Sequence, residues 1–181
     1  MTRFVAGMAW LALQTACAEP RDVAMPGSVA DGGARFADTV IAFAHGNEPL
    51  TTCTDALPAC GQPMVGACAG HAAVGADDGV RFELGAGGRL DLAFRCDAIR
   101  ERGPGGGGGA SEDFRVHATL ADGASAVVAV SEDGSVWREL ALLAEGNQGF
   151  ELERVGVEVV SFVRVVDLGS GGISVDAVEA L

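Results

Sequence analysis

The residues able to do chemistry in this chain are few, and their spacing excludes most reactions. The histidines are His45, His71 and His117, which form no metal-binding pair, and neither H-E-x-x-H nor G-x-S-x-G occurs. A Ser-His-Asp set needs only spatial proximity, but no serine is singled out as a nucleophile. The glycine-rich GPGGGGGASED (residues 103–113) invites comparison with a phosphate-binding loop. Such a loop requires a lysine at the phosphates and a helix after it. The chain has no lysine, and strand-like residues follow, so the segment reads as a surface loop.

Cysteine chemistry is the better supported. Apart from Cys17, the chain holds Cys53, Cys60, Cys68 and Cys96. The spacings C-x6-C and C-x7-C do not match the C-x2–4-C pairs of zinc sites. An even set in an exported chain points instead to two disulfides with three possible connectivities. Cys53–Cys60 would close a short loop containing Pro58, leaving Cys68 to tie to Cys96. Each bridge would contribute about 2–4 kcal/mol by restricting the unfolded chain.

Export is read from the N-terminus. Arg3 precedes the apolar FVAGMAWLAL (residues 4–13), which is long enough for a signal core and too short to span a bilayer. Two processing sites follow. Small residues before Cys17 form a lipobox-like TAC, which would make Cys17 the lipidated N-terminus, although Leu13 lies four residues before it instead of three. Alternatively, Ala16-Cys17-Ala18 is an A-x-A site, cut before Glu19. The reading divides the chain into a signal or lipobox at 1–17, a Pro/Gly-rich tether at 18–34 and one domain at 35–181.

The elements that must position these residues are strands. In VRFEL, Val80, Phe82 and Leu84 share a face opposite Arg81 and Glu83; in RLDLAF, Leu90, Leu92 and Phe94 oppose Arg89, Asp91 and Ala93. GAGG between them predicts a hairpin. DFRVHATL continues the alternation, with Phe114, Val116, Ala118 and Leu120 inward and His117 on the wet face. Asp133-Gly134 predicts a turn between AVVAVS and VWREL. RFADTVIAF predicts the first strand, FELE a strand after the turn at 147–149, and ISVDAVEAL the closing strand. Residues 45–79 form a long insertion that only disulfides would make compatible with a compact domain. Nine or ten strands with one buried face each predict an all-β fold, a two-sheet antiparallel β-sandwich of jelly-roll type.

Composition narrows the partners. The formal net charge is −13 and arginine alone supplies the positive charge, scattered along the chain. Nucleic-acid binding needs a basic stripe, which is absent, and direct docking on an anionic bilayer is disfavoured. Membrane association would rest on a lipid at Cys17.

Several segments together resemble the galactose-binding-like (discoidin-type) β-sandwich modules of exported bacterial surface proteins. AVVAVSEDGSVWREL (residues 126–140) resembles that family's V-x-V-S-x-D-G-x-x-W hairpin, and FVRVVDLGSGGISVDAVEAL (162–181) its Y-V-R-I-x-D-L…D-x-D-A-V-x-A-L ending. RFADTVIAF is similar to its opening R-x-A-D-x-V-x-x-F. AVGADDG (73–79) is similar to A-L-G-x-P-D-G with Asp77 in place of proline, and Asp113-Phe114 matches the end of D-G-P-G-x-D-F.

The resemblance implies a non-catalytic binding or scaffolding module, exported to the cell envelope as a lipoprotein or secreted. It would bind glycan or another surface protein through loops at one rim. The rivals are a structural envelope protein and, more remotely, a hydrolase, which a buried acid–histidine pair in a cleft would revive. It also implies a structural calcium, for which Asp38, Asp78 and Asp176 are the candidate ligands. Calcium takes six to eight oxygens. Trp137 would pack in the core, or else stack on a sugar at the rim.

The N-terminal reading predicts a diacylglyceryl group on Cys17 of the mature protein. Mass spectrometry decides it: a free terminus at Glu19 means secretion without an anchor.

Overall fold

A computed structural model describes residues 35–53, 73–75, 79–103, 112–169 and 171–181. Thirteen strands occur among them, with one 3-10 turn (Leu152–Val155) and no α-helix. In chain order they are β1 (Arg35–Phe36), β2 (Thr39–Ala44), β3 (Thr51–Thr52), β4 (Phe82–Glu83), β5 (Arg89–Ala93), β6 (Ile99–Arg100), β7 (Phe114–Leu120), β8 (Ala126–Ser131), β9 (Arg138–Leu143), β10 (Gln148–Phe150), β11 (Val159–Val160), β12 (Phe162–Asp167) and β13 (Ile173–Ala180). The all-β antiparallel sandwich expected from the alternation is what forms.

One sheet has the order β3-β2-β5-β12-β8-β9. The other has the order β1-β13-β7-β10, with β4 also paired to β13, and β6 and β11 form a separate ribbon. Every pairing is antiparallel. Val40, Leu90, Leu92, Val128, Val163 and Val165 from the first sheet share one buried cluster with Phe82, Phe114, Val116, Val175 and Val178 from the second. Phe114 stacks on Phe150 at 5.2 Å between centroids, and Phe43 meets Phe82 edge-on at 5.6 Å.

Three expectations about the strands change. VRFEL and RLDLAF do not form a hairpin: β4 pairs with β13 while β5 lies between β2 and β12 in the other sheet. GAGG therefore carries the chain across the sandwich. Gly88 N–H closes the turn on the Gly85 carbonyl at 2.9 Å, and a Cβ at Gly88 would overlap the Leu84 carbonyl oxygen. RFADTVIAF likewise splits, β1 joining β13 and β2 joining β5. FELE forms no strand beyond Phe150; the 3-10 turn follows.

The outer face of the six-stranded sheet is not uniformly wet. Asp91, expected on the solvent side, is 2% exposed. Arg164, directly across on β12, reaches it with two parallel bonds, Nε to Oδ1 at 2.8 Å and Nη2 to Oδ2 at 3.0 Å. Arg89 also grips it, Nε to Oδ1 at 2.9 Å and Nη2 to Oδ2. The Arg164 guanidinium in turn lies 3.6 Å from the centre of the Trp137 ring. Trp137 therefore covers a charge on the outside of the sheet and is not a core residue: it precedes β9, yet its ring lies against Arg164 of β12, with β8 between those two strands.

A buried carboxylate held by two guanidinium groups leaves uncompensated charge when it is removed. Asp91→Ala is expected to lower unfolding stability by about 3–5 kcal/mol in denaturant titration. A change within about 0.5 kcal/mol, the range of ordinary surface substitutions, would show the cluster to be ornamental.

Candidate functional site

The polar groups of the five-stranded sheet converge where β13 is irregular. Val175 faces Ala118, but the next register pair is Ala177 with His117, so Asp176 is the extra residue of a β-bulge. The bulge is what the hydrophobic pattern demands: Val175 and Val178 are both buried though three residues apart, which strict alternation forbids. It also re-aims Asp176. That carboxylate is 3% exposed, and its Oδ2 accepts from Gly79 N at 3.1 Å and Arg81 Nε at 3.5 Å.

His117 stands beside it on the same outer face. Its Nε2 is 2.9 Å from Glu179 Oε2, a diagonal cross-strand pair whose side chains are 13% and 17% exposed. The ring leans on Phe36 at 6.4 Å. Between these pairs lies a cup of about 150 Å³ lined by Arg81, His117, Ala118, Thr119, Asn147 and Asp176. Asn147 reaches its place through a left-handed backbone, φ 56°, a conformation asparagine tolerates better than most residues. The cup offers guanidinium, amide and hydroxyl donors beside carboxylate, amide and hydroxyl acceptors.

Asp38 is elsewhere and is fully occupied. Its Oδ2 accepts from Arg95 N at 2.9 Å and Cys96 N at 2.8 Å, and its Oδ1 from Thr39 Oγ1 at 2.7 Å. It ties the β1–β2 corner to the chain leaving β5. Asp113 does similar work, joining Arg102 N at 2.7 Å to Leu152 N at 2.7 Å. Asp78 and Asp77 lie outside the described residues. Among those described, no three His, Cys, Asp or Glu side chains are grouped to hold a metal. Asp38 and Asp176 each face N–H or guanidinium donors, and Asp78, the third residue expected with them, is not among the described residues. Cys53 and Cys96 are each disulfide-bonded. Cys60, Cys68, His71 and Cys17 lie outside the described residues.

A second recess sits at the rim, at the turn joining β8 to β9. It measures about 240 Å³ and is lined by Val130, Ser131, Glu132, Asp133, Val136, Arg138 and Val157. Asp133 organises the turn. Its Oδ1 accepts from Ser135 N at 2.8 Å, Val136 N at 3.1 Å and Ser131 Oγ at 3.2 Å, and its Oδ2 from Ser135 Oγ at 2.7 Å. Gly134 takes the left-handed φ of 78° and donates to Ser131 Oγ at 2.9 Å; its carbonyl accepts from Trp137 Nε1 at 3.0 Å.

The sequence marked Asp176 and His117 singly, but gave no sign that Arg81, Thr119 and Asn147 would join them. The one available signal was the break in alternation between Val175 and Val178. Against this geometry, comparison with protein-family models, curated proteins and solved structures finds no match.

The donors around Asp133, led by the backbone N–H of Ser135, hold its carboxyl well below the usual carboxylate range. A depressed folded-state pKa adds stability above the unfolded pKa and loses it as pH falls toward the folded value. Asp133→Asn keeps an acceptor but not the charge. Its deficit in melting midpoint is expected to be greatest near neutral pH and to shrink on acidification; a deficit independent of pH would refute the assignment.

Proposed function

We propose that this chain is a non-catalytic binding module, held outside the cell, that takes a hydroxyl-rich ligand of the glycan class in the cup on the five-stranded sheet. The observation that carries the reading is the cup itself: a small recess in which Asp176, Arg81, Asn147 and Thr119 place donors and acceptors side by side. Adjacent sugar hydroxyls each donate and accept, and bidentate pairing with such groups is how planar amides, carboxylates and guanidiniums recognise them. The discoidin-type resemblance supports the same class, with the ligand on the sheet face instead of the rim loops first expected. Oxidation of all four cysteines of the domain, with Cys53–Cys60 paired, and a lipid on Cys17 belong to this proposal, since both suit a chain exposed outside the cell.

One observation favours a hydrolase as the second reading. His117 and Glu179 form a base with an orienting acid beside the Thr119 hydroxyl. General-base chemistry of that kind further requires a nucleophile aligned on the base and donors for the developing oxyanion. The cup has a ready explanation as a recognition surface without them.

A glycan array probed with the mature, oxidised protein tests the proposal. Binding is expected, with Asp176→Asn and Arg81→Ala each weakening it about tenfold or more, the size expected for one charge-assisted hydrogen bond. An empty array, or binding that neither variant changes, rejects the cup as a glycan site. Turnover of a bound glycan that disappears in His117→Ala would establish the hydrolase.

A further inference from the structure

We propose that the rim recess beside the β8–β9 turn is a docking site for a protein segment presenting an aliphatic side chain next to a basic one. The site is separate from the cup and does not depend on what the cup binds.

The recess has an apolar wall and a charged lip. Val130 and Val157 are buried at its floor, 1% and 5% exposed, while Val136 stands 66% exposed at its edge. An isolated exposed valine is ordinary. What distinguishes Val136 is that its backbone is fixed on both sides. Before it, Asp133 collects four hydrogen bonds from within the turn, one of them from Val136 N itself. After it, Trp137 is held by its indole N–H on the Gly134 carbonyl and by the Arg164 guanidinium across its face. The turn thus presents an apolar group that the fold leaves uncovered and keeps in one place. Pre-ordering of that kind removes much of the entropic cost of association.

Charge selects the occupant. Glu132 and Asp133 form the lip, and Glu158 follows Val157 in sequence. Arg138 is the cationic side chain lining the recess among the described residues, and its Nη1 donates to the Val155 carbonyl at 3.1 Å, toward the 3-10 turn. A second copy of this chain, at net charge −13, would meet the lip with like charge. A basic segment would be drawn to it, its alkyl stem and an aliphatic neighbour filling the valine-walled space.

The probe is a capped peptide of sequence Gly-Arg-Leu-Arg-Gly, titrated into the mature, oxidised protein and followed by amide chemical shifts. Its twin carries glutamate in place of both arginines. The arginine peptide is expected to shift the amides of Ser131, Asp133, Ser135, Val136, Arg138 and Val157, and added salt to weaken it; the glutamate peptide should leave them unmoved. Val136→Ser should weaken binding about fivefold, in line with the partial burial of one valine, and Glu132→Arg should weaken it as well. Both positions are outside the core, so native melting midpoints are expected. Equal shifts from both peptides, shifts confined to other surfaces, or unchanged affinity in Val136→Ser would overturn the proposal. The comparison of the two peptides on the unaltered protein decides the matter even where a variant folds poorly.

Discussion

The six-stranded sheet is organised around one carboxylate. Asp91 lies at its centre, out of water, and is tolerable there because Arg89 and Arg164 supply donors to both of its oxygens. A single guanidinium would leave lone pairs unmet in a low-dielectric place, where such omissions are costly. Arg164 then needs cover of its own, and Trp137 gives it a π-face at 3.6 Å. The β8–β9 turn is thereby fastened to the sheet by an interaction that begins on β5. The contacts of the rim turn thus run through Trp137 and Arg164 back to a buried charge on β5, beside the hydrogen bonds that Asp133 collects within the turn.

Aspartates do comparable work across the fold. Asp38 ties the first corner to the segment after β5, Asp113 joins the exit of β6 to the start of the 3-10 turn, and Asp167 accepts from Gly87 N at 3.0 Å and Gly169 N at 2.6 Å. Each carboxylate receives backbone N–H groups that no strand partner satisfies. In a sandwich whose loops are rich in glycine, such anchors replace the local turn preferences that bulkier residues would impose. These carboxylates are thus structural, whatever their effect on solubility.

How much of this was legible in the sequence depended on the range of the interaction. Period-two patterning placed Leu90, Leu92, Phe94, Phe114 and Val116 in the core because burial on one face of a strand is a local constraint. Pairing is not local. VRFEL, GAGG and RLDLAF read as a hairpin by every short-range rule, yet the competing partner for β4 was β13, some ninety residues away. Trp137 was misread for a related reason: an aromatic in an apolar strand looks like core until the arginine across the sheet is known. Of the cup, Asp176 and His117 were visible as single residues. Their assembly with Arg81 and Asn147 came from a bulge and a loop, whose placement is set by tertiary contacts.

The position of β13 has a consequence for synthesis. It is hydrogen-bonded to β1, β4 and β7, all of which precede it in the chain. None of the three can join the five-stranded sheet in its native arrangement until β13 has left the ribosome. Until β13 is made, β1, β4 and β7 lack the partner that joins them in one sheet. A chain in that state leaves strand edges open to edge-to-edge association. The order of strands along the chain thus defers closure of the five-stranded sheet until β13 is available.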